Sequence, residues 1–208
     1  MTDQSELNRM QYLVSKRFSP DHLEYLYSPP TYPVWQCIAE FIKDQNSRKI
    51  LDLGSSYGGP KMLDMFLEGY DYEYLGVDVS KSLIDYANQL YADRPNIKFC
   101  QASWDDIYPQ EEYDCMLLLG VLPYGMPVLG YGDYSSPWDL YMHLKNKFNT
   151  RQIIIKETDG DEWKGIKLMD LTPFENIATD IKKFDVSASY KDEDIALGKK
   201  VVYNVITS

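Results

Sequence analysis

Ile50-Leu51-Asp52-Leu53-Gly54-Ser55-Ser56-Tyr57-Gly58-Gly59-Pro60 is the stretch that decides the fold. A short apolar run, Lys49 to Leu53, ends in a turn of small residues, and a proline then opens a helix over Pro60 to Leu67. Small residues let the backbone turn sharply and come close to a ligand, while the first turn of a helix leaves N–H groups free to meet one. Asp52, an acid inside the strand end, suits a cationic ligand group better than a pyrophosphate.

Downstream of this unit, strands and helices alternate. Tyr74 to Val79 reads as a second strand, and Ser80 as the N-cap of a helix running through Tyr91. Ile97 to Gln101 and Asp114 to Leu119 give a third and a fourth strand, Trp138 to Phe148 a helix, and Gln152 to Lys156 a fifth strand with three isoleucines. A helix is predicted over Pro173 to Phe184, followed by two strands, Asp185 to Tyr190 and Lys199 to Thr207, around a charged turn containing Gly198. Upstream, residues 5–27 mix charged and aromatic positions in a helical rhythm, Ser28 to Pro33 breaks it, and Val34 to Lys43 is an amphipathic helix. Strands that alternate with helices build a largely parallel sheet covered on both faces. The expected fold is therefore α/β and doubly wound: a mostly parallel seven-stranded sheet with a C-terminal antiparallel hairpin and an N-terminal helical cap. Residues 1–44 form the cap, residues 45–208 one structural unit, and about 123–139 a lid insertion.

A chain of 208 residues holds one such domain. No apolar run approaches the roughly 20 residues of a membrane span, so no membrane partner is expected. The polar, acidic N-terminus is not a secretory signal. Cys37, Cys100 and Cys115 are scattered and odd in number, which implies neither a disulfide framework nor a metal site and fits a reduced, cytoplasmic setting. The net charge of −11 would repel a phosphate backbone, and nucleic acid is not expected as a partner. Lys145-Asn146-Lys147 and Lys182-Lys183 read as solvated helix faces. The 18 tyrosines and 4 tryptophans, many near Pro and Gly, hint at a binding surface.

The second strand sharpens the site. Gly76-Val77-Asp78-Val79-Ser80 places an acid 24 positions after Gly54, where doubly wound folds hydrogen-bond a ribose hydroxyl pair. Asp52 through Gly58 resembles the glycine-rich motif of class I S-adenosylmethionine-dependent methyltransferases, small-molecule type, and Asp78 falls where that family keeps its ribose acid. Phe99 through Ile107 resembles their third motif, beside the adenine, and Tyr113 through Leu122 their fourth, where strand four delivers residues under the methyl donor. The motifs arrive in family order and cover roughly residues 45–158. The resemblance implies S-adenosyl-L-methionine as cofactor and Asp52, Gly54, Ser55, Ser56, Gly58, Asp78, Val79, Ser103, Trp104, Leu119 and Gly120 as its site, with no metal. Two positions depart from the pattern. Ser56 stands where the family usually has a second glycine, and Ser103 where it usually has an acid, a role that Asp105 could take in a shifted loop. An Asn-Pro-Pro-Tyr sequence is absent, and Gly120-Val121-Leu122-Pro123-Tyr124 in its place is closer to enzymes acting on small metabolites.

The acceptor is expected at the carboxyl edge of the sheet, where open α/β sheets bind ligands. Tyr124, Tyr131, Tyr134 and Trp138 of the lid are the candidate substrate-binding residues, and His22 and Tyr124 the candidate catalytic ones. Asp159, Asp161, Glu162 and Trp163 follow strand five at the same edge. Of the cap tyrosines Tyr12, Tyr25, Tyr27 and Tyr32, one could contact the methionine part; His143 reads as structural. The implied reaction is methyl transfer to an O or N atom of a small metabolite. A protein methyltransferase and a non-catalytic Rossmann-like partner subunit are the alternatives, and a homodimer is left open.

Overall fold

The computed structural model describes residues 27, 29–107, 112–127, 132–158, 162–163, 166–167, 169–185 and 201–207. The run Lys49–Leu53 forms β1 at the centre of a seven-stranded sheet whose order is β3-β2-β1-β4-β5-β9-β8. β2 (Glu73–Asp78), β3 (Ile97–Gln101), β4 (Tyr113–Leu119) and β5 (Thr150–Thr158) lie parallel to it. Winding runs outward from β1 to β3, returns to β4 on the other side, and so leaves a crevice at the carboxyl ends of β1 and β4.

Both faces of β1, β4 and β5 are covered, which is why they read as near-continuous apolar runs, whereas β3 leaves Lys98 and Cys100 exposed. One face presents Ile50, Tyr74, Ile97, Cys115, Leu117 and Ile154 to the helices α1 (Tyr32–Asp44) and α2 (Gly59–Phe66). On the same side α3 (Lys81–Leu90) buries Leu83 and Ala87 against Tyr57 and Phe99. The other face, with Leu51, Leu53, Met116, Leu118, Ile153 and Ile155, packs against α4 (Pro137–Lys147) and the short α5 (Thr172–Glu175). Ser80 caps α3 as the sequence predicts, its hydroxyl accepting the Leu83 N–H at 3.5 Å.

The C-terminal third corrects the sequence reading. The helix predicted over Pro173 to Phe184 is only the four-residue α5, and Ala178–Asp185 is strand β8, antiparallel to β9 (Val201–Thr207), which is itself antiparallel to β5. Ala178, Ile181 and Phe184, three residues apart, are half-buried in this strand, while Thr179, Asp180, Lys182 and Lys183 are exposed. Ile181 packs against the α4 side and Phe184 against the α1 side, whereas a helix would put them on one stripe. The hairpin exists, with Ala178–Asp185 as a strand paired to β9; residues 186–190 of the predicted strand and Gly198 lie outside the described residues. Lys182 and Lys183 therefore sit on an edge strand, where exposed lysines discourage pairing with another sheet, and not on a helix. A two-stranded ribbon, β6 (Glu162–Trp163) with β7 (Ile166–Lys167), follows β5. Among the described residues no helix is long and apolar enough to cross a membrane.

Candidate cofactor site at the end of β1

Gly54 turns the chain out of β1 with φ +74°, and the N–H groups of Gly54 and Ser55 both donate to the Val77 carbonyl of β2, at 2.7 and 3.1 Å. A Cβ at Gly54 would fall on Val121 Cγ1, so the closest approach of the β1 turn to the chain leaving β4 admits no side chain. Ser56 takes the left-handed conformation, φ +51°, that a glycine would adopt freely. Its N–H donates to Asp78 Oδ2 at 3.0 Å, which offsets the strain and explains how a serine is tolerated there.

Asp78 joins two elements. Besides Ser56, it accepts the Ser80 N–H on Oδ1 at 2.8 Å, so one carboxylate fastens the β1 turn to the start of α3. Burial pushes its pKa up, and these backbone donors pull it back. Each oxygen keeps a further lone pair, the capacity a ribose diol needs. Val79 follows half-buried, and the Ala102 N–H donates to the Asp78 carbonyl at 3.1 Å, which brings the Ser103-Trp104 loop alongside.

Asp52 is buried one row below the turn. Its Oδ2 accepts the Tyr74 hydroxyl at 2.5 Å, while Oδ1 has no hydrogen-bond partner among the described residues. Burial pushes its pKa up to about 7 against the pull of Tyr74, and the neighbouring Asp78 adds to the rise. A buried carboxylate oxygen left without a donor costs free energy unless a ligand supplies one. Of the four cap tyrosines, Tyr12 and Tyr25 lie outside the described residues, and the Tyr27 ring packs over Gly58 and edge-on to Tyr57, with centroids 5.2 Å apart. Its hydroxyl accepts the Gly58 N–H at 3.3 Å.

The loop after β3 is tied down by side chains. Ser103, which is buried, donates to Asp106 Oδ2 at 2.9 Å and accepts the Asp106 N–H at 3.2 Å. Asp105 accepts the Tyr134 hydroxyl at 2.9 Å and lies 3.0 Å from His143 Nε2, while Lys147 Nζ donates to the carbonyls of Trp104 and Asp105 at 2.8 and 2.6 Å. The carboxylate of Asp105 thus clamps this loop to α4, and Trp104 is partly buried against the α4 face.

At the end of β4, Leu119 and Gly120 are half-buried, and the Gly120 N–H donates to the Lys156 carbonyl at 2.8 Å. Tyr124 sits in a single 3-10 turn, Leu122–Gly125, and is half-buried. Trp138 packs its ring against Tyr141 and Phe174, with centroids 5.3 and 5.2 Å away, as part of the α4–α5 core. His22, Tyr131, Asp159 and Asp161 lie outside the described residues; Glu162 and Trp163 form the β6–β7 ribbon. Sequence reasoning passed over Tyr74, Lys156 and Glu157. Glu157 Oε1 accepts the Leu122 N–H at 3.0 Å and so holds the chain leaving β4, while burial lowers the Lys156 pKa and Glu157 raises it. A Lys-Glu pair ending a triple-isoleucine strand was the available signal.

No protein-family model matches the sequence, and no curated protein matches it. Solved structures do match in fold. The N-methyltransferase NodS from Bradyrhizobium japonicum WM9, in complex with S-adenosyl-L-homocysteine, is 11% identical, with a TM-score of 0.66 over 97% of this chain and 98% of that one. The 16S rRNA methylase ArmA is 16% identical, with a TM-score of 0.54 over the whole of both chains. The [4+2]-cyclase SpnF is 10% identical, with a TM-score of 0.57 over 83% of this chain and 81% of that one. The chain has the class I methyltransferase fold.

Proposed function

We propose that the chain is an S-adenosylmethionine-dependent methyltransferase acting on an O or N atom of a small metabolite. The observation that carries this reading is the buried, unpartnered Asp52 Oδ1 beneath a glycine turn, with Asp78 ending the next strand. A buried acid without a cation of its own among the described residues fits a ligand that brings an ammonium group, which the methionine part of this cofactor has. The turn of Gly54, Ser55, Ser56 and Gly58 would hold that part, Asp78 and Val79 the ribose, Ser103 and Trp104 the adenine, and Leu119 and Gly120 the methyl-bearing end. When bound, the cofactor supplies a methyl group on a sulfonium centre, open to in-line attack.

The protein's share of the chemistry is alignment and exclusion of water. Glu157 fixes the chain leaving β4 and with it Tyr124, the candidate general base among the described residues; an amine acceptor would need orientation alone, a hydroxyl acceptor a base as well. Residues 123–139 serve as the lid and residues 1–44 as the cap over the 45–208 unit, with His22 a second candidate base in the cap. The net charge of −11 favours a small metabolite over RNA, although ArmA shares the fold and is an rRNA methylase. A cytoplasmic enzyme fits the cysteine usage.

Methyl transfer from labelled S-adenosylmethionine to a panel of amines, phenols, peptides and RNA tests the reading. Label is expected in a small amine or hydroxyl compound. Label confined to peptide or RNA would overturn the acceptor class, and cofactor binding with no transfer to any acceptor would favour a non-catalytic subunit.

A further inference from the structure

Tyr74 is buried near the start of β2, 2% exposed, and is wedged beside Phe99 with ring centroids 5.7 Å apart. Its one hydroxyl proton goes to Asp52 Oδ2. Gly59, the first residue of α2, makes room for this bond: a Cβ there would stand 2.5 Å from the Tyr74 hydroxyl and 3.0 Å from Asp52 Oδ2. The groups that face Asp52 are Tyr74 and Asp78 from β2, Tyr27 from the segment before α1, and Cys115 from β4. None is a cation, so among the described residues the carboxylate is held by a phenol and balanced by nothing.

Resting on the cofactor reading above, we infer that Tyr74 is a positioning residue of the cradle: by occupying Asp52 Oδ2 it fixes the carboxylate rotamer and leaves Oδ1 as the oxygen offered to the ligand's ammonium group. A phenol suits this place because it donates one hydrogen bond without bringing the positive charge that would compete with the ligand. The same bond favours the ionised carboxylate over the neutral acid and so lowers the pH at which Asp52 carries the charge a cation would meet.

The test is S-adenosylhomocysteine binding by calorimetry from about pH 6 to pH 9, with wild type and Tyr74→Phe, alongside melting of the free proteins over the same range. Tyr74→Phe is expected to bind about 3–10-fold more weakly at pH 7 and to recover most of the loss at the alkaline end, because removing the donor raises the pH at which Asp52 ionises. Its melting profile should move to higher pH in the same sense without any ligand. Gly59→Ala keeps the Tyr74 ring in the core while crowding its hydroxyl, and should give the same shift if Tyr74→Phe folds poorly. Equal affinity and an unmoved pH profile in both variants would overturn the inference and leave the cofactor reading standing. A wild type that binds neither cofactor nor product overturns the cofactor reading, and the inference with it.

Discussion

Around the β1 turn the chain is held by backbone geometry and the carboxylates of Asp52 and Asp78, whereas beyond β4 the aromatic side chains are engaged in core packing and a loop clamp. Gly54 and Ser56 hold left-handed conformations that fix the turn, Asp52 of β1 is bonded to Tyr74 of β2, and Asp78 of β2 to Ser56 of the turn. On the other side of the crevice Trp138 is core, and Tyr134 is bonded to Asp105. The difference teaches that the β1 turn is fixed by the backbone itself, while the segment beyond β4 is held by side-chain contacts that sequence can vary. A fold shared by NodS, ArmA and SpnF can keep the first and vary the second.

The largest expected effect breaks the β1 turn. Gly54→Ala adds a Cβ to a left-handed residue and drives it into Val121, so it should cost about 3–4 kcal/mol of stability and abolish cofactor binding; denaturant melts and calorimetry measure both. Trp138→Ala sharpens the contrast from the other side. Losing a ring packed on Phe174 should cost about 2–3 kcal/mol in denaturant melts yet leave the affinity for S-adenosylhomocysteine unchanged.

Asp52 gives the pH test. Its pKa in the folded protein is about 7, above its ordinary value, so the folded state holds the proton more tightly than the unfolded chain. The stability this contributes is complete below the unfolded pKa, is lost as pH rises toward about 7, and does not return above it. Asp52→Asn should therefore match wild type near about pH 4 and exceed it by on the order of 2 kcal/mol at about pH 8, read from melts of the free protein. A gap that did not change with pH would mean that Asp52 is ionised throughout.

Asp78→Ala is expected to weaken cofactor binding by about 1–3 kcal/mol, and an unchanged affinity would remove it from the ribose position. The smallest effect belongs to the clamp between the post-β3 loop and α4. Tyr134→Phe should change stability by less than about 1 kcal/mol, because Asp105 and His143 are partly exposed and solvent competes for the bond.

The strand–turn–helix at Asp52 to Pro60, the acid at Asp78 and the five parallel strands were legible because each is set by local pattern: apolar runs, small residues at a turn, an N-cap. Strand β8 was not, since its half-buried positions Ala178, Ile181 and Phe184 fall three apart, a spacing that a helix also gives. Ser56 looked like a departure, and its N–H bond to Asp78 shows why serine serves. Tyr74 was hidden for a different reason. Nothing in a strand sequence says that a tyrosine will reach a carboxylate on the neighbouring strand, because that depends on register and on the space left by Gly59. Of the lid aromatics, Tyr134 is bonded to Asp105 and Trp138 packs on Phe174, contacts that tyrosines and tryptophans between glycines and prolines make as readily as they line pockets.

The central claim, that the turn after Asp52 is a cofactor cradle, is tested most directly by titrating the wild-type protein with S-adenosylmethionine and with S-adenosylhomocysteine in a calorimeter. Saturable one-to-one binding of both, weakened in Asp78→Ala, is the expected result. The absence of measurable binding by either ligand to folded protein would contradict it.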